Sequence, residues 1–217
     1  MTKYALFDFD KTLCRGDSIL PFLLYCIRKG MAPKTQLFKA GAAYIHQLIH
    51  PDQIACAKSR TLSFIQGKSK KDMDGFCRGF CRDVLMPRMF RDGVNELSRL
   101  KQEGYTIVVT SASADVYMGL LPEFLPVDGV IATRCGLDEH DVYTGLVDEN
   151  CKGLQKPLRI AEYLAATHQV LDYEASCAYG DSASDIPMLE LTKSKTLVNA
   201  RKKILARIPD AKAVTWR

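Results

Sequence analysis

The feature that most constrains the fold is an alternation of short β-branched runs with helical segments, which begins near Asp92 and continues through the rest of the sequence. The clearest run, residues 105–110, reads Tyr-Thr-Ile-Val-Val-Thr and is typical of a buried strand. Residues 94–103, which precede it, show helical spacing of their apolar side chains. Strands that alternate with helices form parallel sheets, because each return crossover is usually a helix. The sequence therefore predicts an α/β fold with a doubly wound parallel sheet.

Residues 17–90 have a different character, because no strand pattern appears among them. Their apolar residues recur at helical spacing instead. The predicted helices cover residues 19–28, 34–50, a segment that starts at Pro51 and Asp52, and 68–85. We therefore expect an all-helical cap domain over residues 17–90, inserted into a core domain that comprises residues 1–16 and 91–217.

Charge and cysteine content narrow the class of protein. The formal net charge of +5 is mild and diffuse, so we expect no nucleic-acid partner. The eight cysteines include no CxxC pair, and Cys77 and Cys81 lack the second Cys/His pair that a zinc site needs. The first residues enter a strand at once, so we expect no targeting segment, reduced thiols and a cytoplasmic location.

Two carboxylates and a hydroxyl directly follow the first predicted strand. Residues 4–7 are apolar, and Asp8, Asp10 and Thr12 follow them at intervals of two. Ligands of open α/β sheets bind beyond the carboxyl ends of the strands, where these three side chains would converge. Two acids this close repel each other unless a cation or a shared proton lies between them. The alternative is a polar loop in which an aspartate caps a helix.

A second polar cluster follows the strand at residues 105–110. Ser111 comes directly after this strand, and we predict that a helix starts at Ser113. The free N–H groups and the dipole of such a helix would favour an anion beside Ser111. Thr110 is the alternative if the strand ends one residue earlier, and a plain helix cap is the other interpretation.

Two more clusters lie further along the chain. Lys156 is found early in a predicted helix, and Lys152 is its weaker alternative. Asp181 ends another predicted strand, and Asp185 enters a helix four residues later. Two carboxylates in this arrangement are suitable oxygen ligands for a hard cation, although helix capping would also use them.

The order of these clusters resembles the haloacid dehalogenase (HAD) superfamily of phosphotransferases. The four motifs read Asp8-Phe9-Asp10-Lys11-Thr12, Ser111, Lys156 and Gly180-Asp181-Ser182-Ala183-Ser184-Asp185. The resemblance covers the whole chain, and the position of the helical insert resembles the phosphoserine-phosphatase-like subgroup. It implies a Rossmann-like core with a helical cap, phosphatase activity on a small-molecule phosphate ester, and a Mg²⁺ cofactor.

The resemblance also implies a role for each motif residue. Asp8 would attack phosphorus and form an aspartyl phosphate, and Asp10 would protonate the leaving oxygen and later take a proton from water. The residues of the metal site would be Asp8, Asp10 through its backbone carbonyl, Asp181, and Asp185, the last by orienting water or Lys156. The groups that hold the substrate would be Thr12, Ser111 and Lys156.

The identity of the substrate is less constrained. Asp17 stands where phosphoserine phosphatases carry a glutamate that reads the substrate amine, so phosphoserine is in doubt and another amine-bearing ester such as histidinol phosphate stays open. Lys58 and Arg60 could meet a substrate anion, but a solvated helix face is the favoured interpretation for both.

The apolar run at residues 19–27 and the segment around Tyr44 and Ile45 raise another alternative, a lipid phosphate of the phosphatidylglycerophosphate kind at a membrane surface. Packing of these residues against the core or a second cap is the favoured interpretation. A phosphotransferase or mutase and a non-catalytic phosphate-binding relative are further alternatives. Intact Asp8, Asp10, Lys156 and Asp181 argue against the last, and the sequence does not indicate an oligomeric state.

Overall fold

The computed structural model describes residues 1–50 and 53–217. In chain order its strands are β1 (Tyr4–Phe7), β2 (Thr106–Ala114), β3 (Gly129–Thr133), β4 (Cys135–Leu137), β5 (Tyr143–Val147), β6 (Cys177–Gly180), β7 (Ser194–Val198) and β8 (Lys212–Val214). Its α-helices are α1 (Ile19–Arg28), α2 (Gln36–Ile49), α3 (Ile54–Leu62), α4 (Lys70–Phe80), α5 (Arg91–Gln102), α6 (Asp115–Met118), α7 (Gln155–Ala166), α8 (Ile186–Leu189) and α9 (Lys202–Leu205).

A six-stranded sheet with the order β3-β2-β1-β6-β7-β8 forms the centre of the fold, and every neighbouring pair in it is parallel. The prediction of a doubly wound parallel sheet is therefore confirmed. After β1 the chain adds β2 and β3 on one side of this strand. It then adds β6, β7 and β8 on the other side. The order of strands reverses between β1 and β6, and the carboxyl ends of these two strands therefore border the crevice where such folds bind ligands.

Strand β1 lies in the middle of the sheet, and both of its faces are apolar and buried. Ala5 and Phe7 point into one buried cluster, and Tyr4 and Leu6 point into another on the opposite side of the sheet. Successive side chains of a strand face opposite ways, so a strand covered on both sides needs an uninterrupted apolar sequence. The apolar run therefore spans the part of β1 that is covered on both sides and ends before Asp8, the first carboxylate.

Between β1 and β2 the described residues form helices, turns and isolated bridges but no multi-residue strand. The helix predicted to start at Pro51 and Asp52 has its first residues outside the described part of the chain, and α3 begins at Ile54. The assignment of residues 17–90 to a separate cap domain stays a prediction. Among the described residues, no helix combines the length and apolar character that crossing a bilayer requires.

A buried aromatic cluster packs the helices between β1 and β2 against α6, the helix that follows β2. The ring of Phe22 in α1 lies 5.0 Å from that of Phe80 in α4 and 4.7 Å from that of Tyr117 in α6. The Phe80 and Tyr117 rings are 5.3 Å apart in an edge-to-face arrangement. Aromatic pairs at these separations add to the free energy gained from burial alone. The cluster therefore ties α1 and α4 to the element that follows β2.

Two expectations about local structure were wrong. The sequence favours strands at residues 127–133 and 142–147 that pair as a hairpin around residues 138–141. Both strands are present, but β3 belongs to the main sheet, and β5 pairs across that turn with β4 instead. We also predicted a helix from Ser113, but β2 continues to Ala114, where it still pairs with Thr133 of β3. Strand β2 thus continues past the Ser-Ala-Ser sequence despite its low strand propensity, with an irregular register against β3 between Thr110 and Ala114.

Candidate active site

Asp8 is positioned by the end of β1. Its backbone N–H donates to the carbonyl of Tyr179 in β6 at 2.9 Å, which extends the sheet by one residue. The chain then turns sharply through Lys11, which has a φ of 67°. The turn brings the Thr12 hydroxyl back to donate to Asp8 Oδ2 at 2.9 Å. Asp8 and Thr12 therefore lie together as the spacing predicted.

Lys156 reaches the same carboxylate from the first turn of α7. Its Nζ donates to Asp8 Oδ1 at 2.6 Å and to Asp185 Oδ1 at 2.7 Å, and the residue is only 1% exposed. Burial alone would lower the pKa of Lys156, but the two carboxylates raise it above its ordinary value. Of the two lysines considered from the sequence, Lys156 is the one that contacts Asp8, whereas Lys152 lines a neighbouring cavity.

Asp8, Asp181 and Asp185 form an acidic cluster. One carboxylate oxygen from each lies within 4.8 Å of the others. Burial raises the pKa of Asp8, although Lys156 acts against this, and burial with the nearby Asp185 raises that of Asp181 to about 6. A bound cation would offset the cost of ionising Asp8 and Asp181 in this buried position. Oxygen donors of this kind suit Mg²⁺.

Asp185 accepts more hydrogen bonds than the other two acids. Its Oδ2 accepts hydrogen bonds from the Ser182 hydroxyl at 2.7 Å and from the Ser182 backbone N–H at 3.0 Å. Burial opposes its ionisation, but Lys156 and the Ser182 hydrogen bonds lower the pKa of Asp185. Asp185 Oδ1 accepts from Lys156, so Asp185 contributes to the position of the Lys156 ammonium.

The carboxylate of Asp10 lies outside the acidic cluster and has its own partners. Its Oδ2 accepts a hydrogen bond of 2.5 Å from the Ser113 hydroxyl, while Oδ1 is buried without a hydrogen-bond partner in the described part of the chain. Burial raises the pKa of Asp10, and the Ser113 hydrogen bond lowers it by a smaller amount. A raised pKa suits an acid that must hold a proton before donating it. Oδ1 is the Asp10 oxygen that no donor in the described part of the chain engages.

A hydroxyl chain behind Asp10 was missed by the sequence analysis. The Ser113 hydroxyl lies 2.7 Å from that of Ser18, which in turn lies 3.0 Å from the Tyr117 hydroxyl. The available signal was the period of two in a strand, because Ser111 and Ser113 share a face once β2 is extended. The predicted helix start at Ser113 hid this relationship.

Ser111 lies inside β2 rather than at a helix N-terminus, so the predicted anion site of that kind is not formed there. Its hydroxyl is buried and accepts a hydrogen bond from the Ser113 backbone N–H at 3.0 Å. Thr110, the alternative, is also buried, and its hydroxyl has no partner in the described part of the chain. Because Val109 pairs with Phe7, both residues lie beside the Asp8 end of β1.

A cavity of about 570 Å³ extends from this site between the helices α1, α2 and α3. Asp10, Ser113 and Asp17 lie at its polar end, and Asp17 also accepts a hydrogen bond from the Lys11 ammonium at 3.0 Å. Most of the remaining wall is apolar. Its apolar side chains include Ile19, Leu20, Leu23, Leu37, Tyr44 and Ile54.

Lys58 also lines this cavity, which corrects the expectation that it belongs to a solvated helix face. Its ammonium donates to the Ala112 carbonyl and to Asn150 Oδ1, and burial lowers the pKa of Lys58 to about 8. Arg60, two residues later, is exposed as expected. Helical spacing alone could not distinguish the two, because the cavity wall comes from other elements.

Comparisons with known proteins agree with the fold and identify the family. A family model described as haloacid dehalogenase-like hydrolase matches residues 5–190. A Mycobacterium tuberculosis protein named as a probable phosphatase is 27% identical over 198 residues, which cover 90% of this chain and 68% of that protein. Among solved structures, a Bordetella pertussis protein of unknown function has a TM-score of 0.85 at 20% identity, covering 99% of both chains. A phosphoserine phosphatase with a phospho-aspartyl intermediate analogue has a TM-score of 0.63 at 19% identity, covering 98% of this chain and 92% of that one.

Proposed function

The chain belongs to the haloacid dehalogenase-like hydrolase family and is a phosphatase, and from this premise we propose that it hydrolyses a phosphate monoester through an aspartyl phosphate on Asp8 with Mg²⁺ as cofactor. The observation that carries the proposal is the fixed Asp8 carboxylate, which Lys156 and Thr12 hold at the carboxyl end of β1. Carboxylates positioned in this way are known nucleophiles for phosphoryl transfer.

In the first step an oxygen of Asp8 bonds to phosphorus as the bond from phosphorus to the leaving alcohol breaks. Asp10 supplies the proton that the leaving oxygen needs, which agrees with its raised pKa and its unpaired oxygen. In the second step water attacks phosphorus, Asp10 takes the proton of that water, and the bond between Asp8 and phosphorus breaks. Phosphate is released and both carboxyl groups return to their starting states.

The remaining site residues would bind the phosphoryl group and the metal ion, and they take no part in proton transfer. Lys156, now shared between Asp8 and Asp185, is placed to meet the phosphoryl oxygens, and Ser111 would add a hydroxyl from β2. Asp8, Asp181 and the Asp10 backbone carbonyl would hold Mg²⁺, which supplies charge neutralisation for the dianionic ester. Asp185 would keep Lys156 in place.

The test is release of phosphate from a panel of monoesters by the purified protein, with Mg²⁺ or with a chelator. Asp8→Asn keeps the size of the side chain and removes the nucleophile, so we expect loss of turnover. Asp148→Asn makes the same change at an exposed position and is the matched control. Equal release by the wild type and Asp8→Asn would refute the nucleophile assignment. Fast exchange of label between two phosphate esters would instead indicate a mutase or transferase.

A further inference from the structure

Helix α2 turns an apolar face toward solvent. We call this face the α2 outer face, and its members recur at intervals of three, four and seven residues, so they share one side of the helix. They are Leu37, Phe38, Tyr44, Ile45, Leu48 and Ile49. Phe38 is 80% exposed and Ile49 is 68% exposed, whereas the buried positions of α2 are Gln36 and Ala43.

This arrangement is the reverse of an ordinary surface helix, which buries its apolar stripe. Of the two favoured interpretations, packing against the core is therefore wrong for the α2 outer face, and packing against a second cap stays a prediction. Exposed apolar patches of this kind mark sites that bind another protein or a membrane. On α1, Leu20 and Leu24 are exposed one turn apart, and Leu20 lines the same cavity as Leu37, so α1 adds to the same side of the molecule.

The segment that carries this face has formal charges of one sign only. Residues 19–50 contain Arg28, Lys29, Lys34 and Lys39 but no aspartate or glutamate. All four cations are exposed. A symmetric dimer through this face would bring two such cationic segments together, and like charges oppose that contact. An anionic surface would instead be attracted to it.

We propose that the α2 outer face docks on an anionic phospholipid bilayer, with α2 lying in the plane of the interface. An interfacial helix combines an apolar face that enters the acyl boundary with cations that meet anionic headgroups. Helix α2 and its flanking residues provide both features. No part of the chain needs to cross the bilayer for this mode of binding.

The cavity connects this surface with the phosphatase site. Leu37 and Tyr44 belong to the α2 outer face and also line the cavity, whose far end reaches Asp10. Docking would therefore place an apolar channel between the bilayer and the acid that protonates the leaving group. The substrate class that fits this channel is a phosphate monoester with a lipid-like alcohol, a conclusion that rests on the proposed function.

The docking experiment uses the purified full chain and flotation of vesicles on a density gradient. One vesicle is phosphatidylcholine alone, and the other contains equal parts of phosphatidylcholine and phosphatidylglycerol. We expect the protein to float with the anionic vesicles and to bind them at least about tenfold more tightly than the neutral ones, with the difference decreasing at high salt.

The variant Phe38→Ser with Ile45→Ser removes two apolar side chains that do not line the cavity. We expect at least a tenfold loss of vesicle binding, roughly what a few buried apolar groups contribute, with unchanged turnover of a small soluble ester. The matched control is Leu158→Ser with Val170→Ser, which changes two exposed apolar residues, 56% and 59% exposed, in α7 and the loop after it. Circular dichroism verifies that both variants are folded.

Equal flotation of the Phe38/Ile45 variant and the wild type would overturn the proposal, as would no flotation of the wild type with either vesicle. A dimer in sedimentation that the variant abolishes, without vesicle binding, would assign the face to a second copy instead. If flotation behaves as expected but no ester is hydrolysed, the docking stands and the proposed phosphatase mechanism fails. Hydrolysis of soluble esters without flotation would refute the docking and leave the phosphatase mechanism standing.

Discussion

Lys156 Nζ lies 2.6 Å from Asp8 Oδ1, and both groups are almost completely removed from solvent. The pair is completed by Asp185 at 2.7 Å, so one buried cation serves two buried carboxylates. Removing one member of such a group leaves an uncompensated buried charge, which costs more than the net contribution of the ion pair itself. The candidate site is therefore also a point on which the stability of the fold depends.

The first prediction concerns Lys156→Met. The variant leaves the buried carboxylates of Asp8 and Asp185 without their shared cation. We therefore expect the free energy of unfolding to fall by about 3–5 kcal/mol, together with loss of phosphate release. The measurement is urea denaturation followed by circular dichroism. Lys152→Met makes the same change at an exposed position and should alter stability by less than about 0.5 kcal/mol. Similar losses in the two variants would contradict the assigned role of the buried ion pair.

The second prediction concerns Ser113, which donates to Asp10 Oδ2. Ser113→Ala removes a charge-assisted hydrogen bond from the carboxylate, so the pKa of Asp10 should rise and turnover should fall about tenfold or more. The pH profile of turnover should move toward higher pH, since Asp10 would retain its proton longer. Ser98→Ala removes a hydroxyl that bonds to the Val94 carbonyl within α5 and is the control. An unchanged pH profile would exclude coupling between Ser113 and the proposed acid.

The third prediction concerns the acidic cluster. Asp181→Asn removes one of the anionic oxygens that would hold Mg²⁺, so we expect affinity for Mg²⁺ to fall at least about tenfold. Isothermal titration of Mg²⁺ into the chelator-treated protein measures this without reference to turnover. Asp148→Asn again serves as the control. Wild-type protein that binds no Mg²⁺ in this titration would rule out the proposed cofactor.

The fourth prediction concerns pH and Lys58, whose pKa burial lowers to about 8 from its ordinary 10.5. Between these pH values the unfolded chain binds a proton that the folded chain does not, so Lys58 makes stability increase as pH rises. The stability of the wild type relative to Lys58→Met should therefore grow from about pH 8 to about pH 10.5. The thiols and phenols that titrate in this range are common to both proteins. A constant difference would show that the Lys58 pKa is not lowered.

The fifth prediction compares two phenylalanines. Phe80 is completely buried between Phe22 and Tyr117, so Phe80→Ala should destabilise the fold by about 3–5 kcal/mol. Phe38→Ala removes the same ring from a position that is 80% exposed and should change stability by less than about 0.5 kcal/mol. Thermal or urea denaturation of both variants gives the comparison. A large loss from Phe38→Ala would mean that this ring is packed after all.

Sequence reasoning was strongest where one local pattern had one physical solution. The apolar run before Asp8 forms the predicted buried strand, and α1 begins and ends at the expected residues. It failed where a distant partner decided the outcome. Strand β2 continues through Ser111 and Ser113 and pairs with β3 again at Ala114, and no local propensity reveals that neighbour. Helical spacing in α2 indicated an apolar stripe, but spacing cannot show whether a stripe faces the core or solvent.

The place of β1 in the sheet also affects how the chain is made on the ribosome. β1 is the first of the six strands in chain order, yet its two neighbours begin only at Thr106 and Cys177. A nascent chain that stops short of Cys177 leaves one edge of this apolar strand open, where it can pair with the wrong partner. Contacts between residues so far apart in sequence also slow folding. Asp8 thus acquires its surroundings only after β6 has been synthesised, and until then the open edge of β1 is the part of the chain that a chaperone would need to protect.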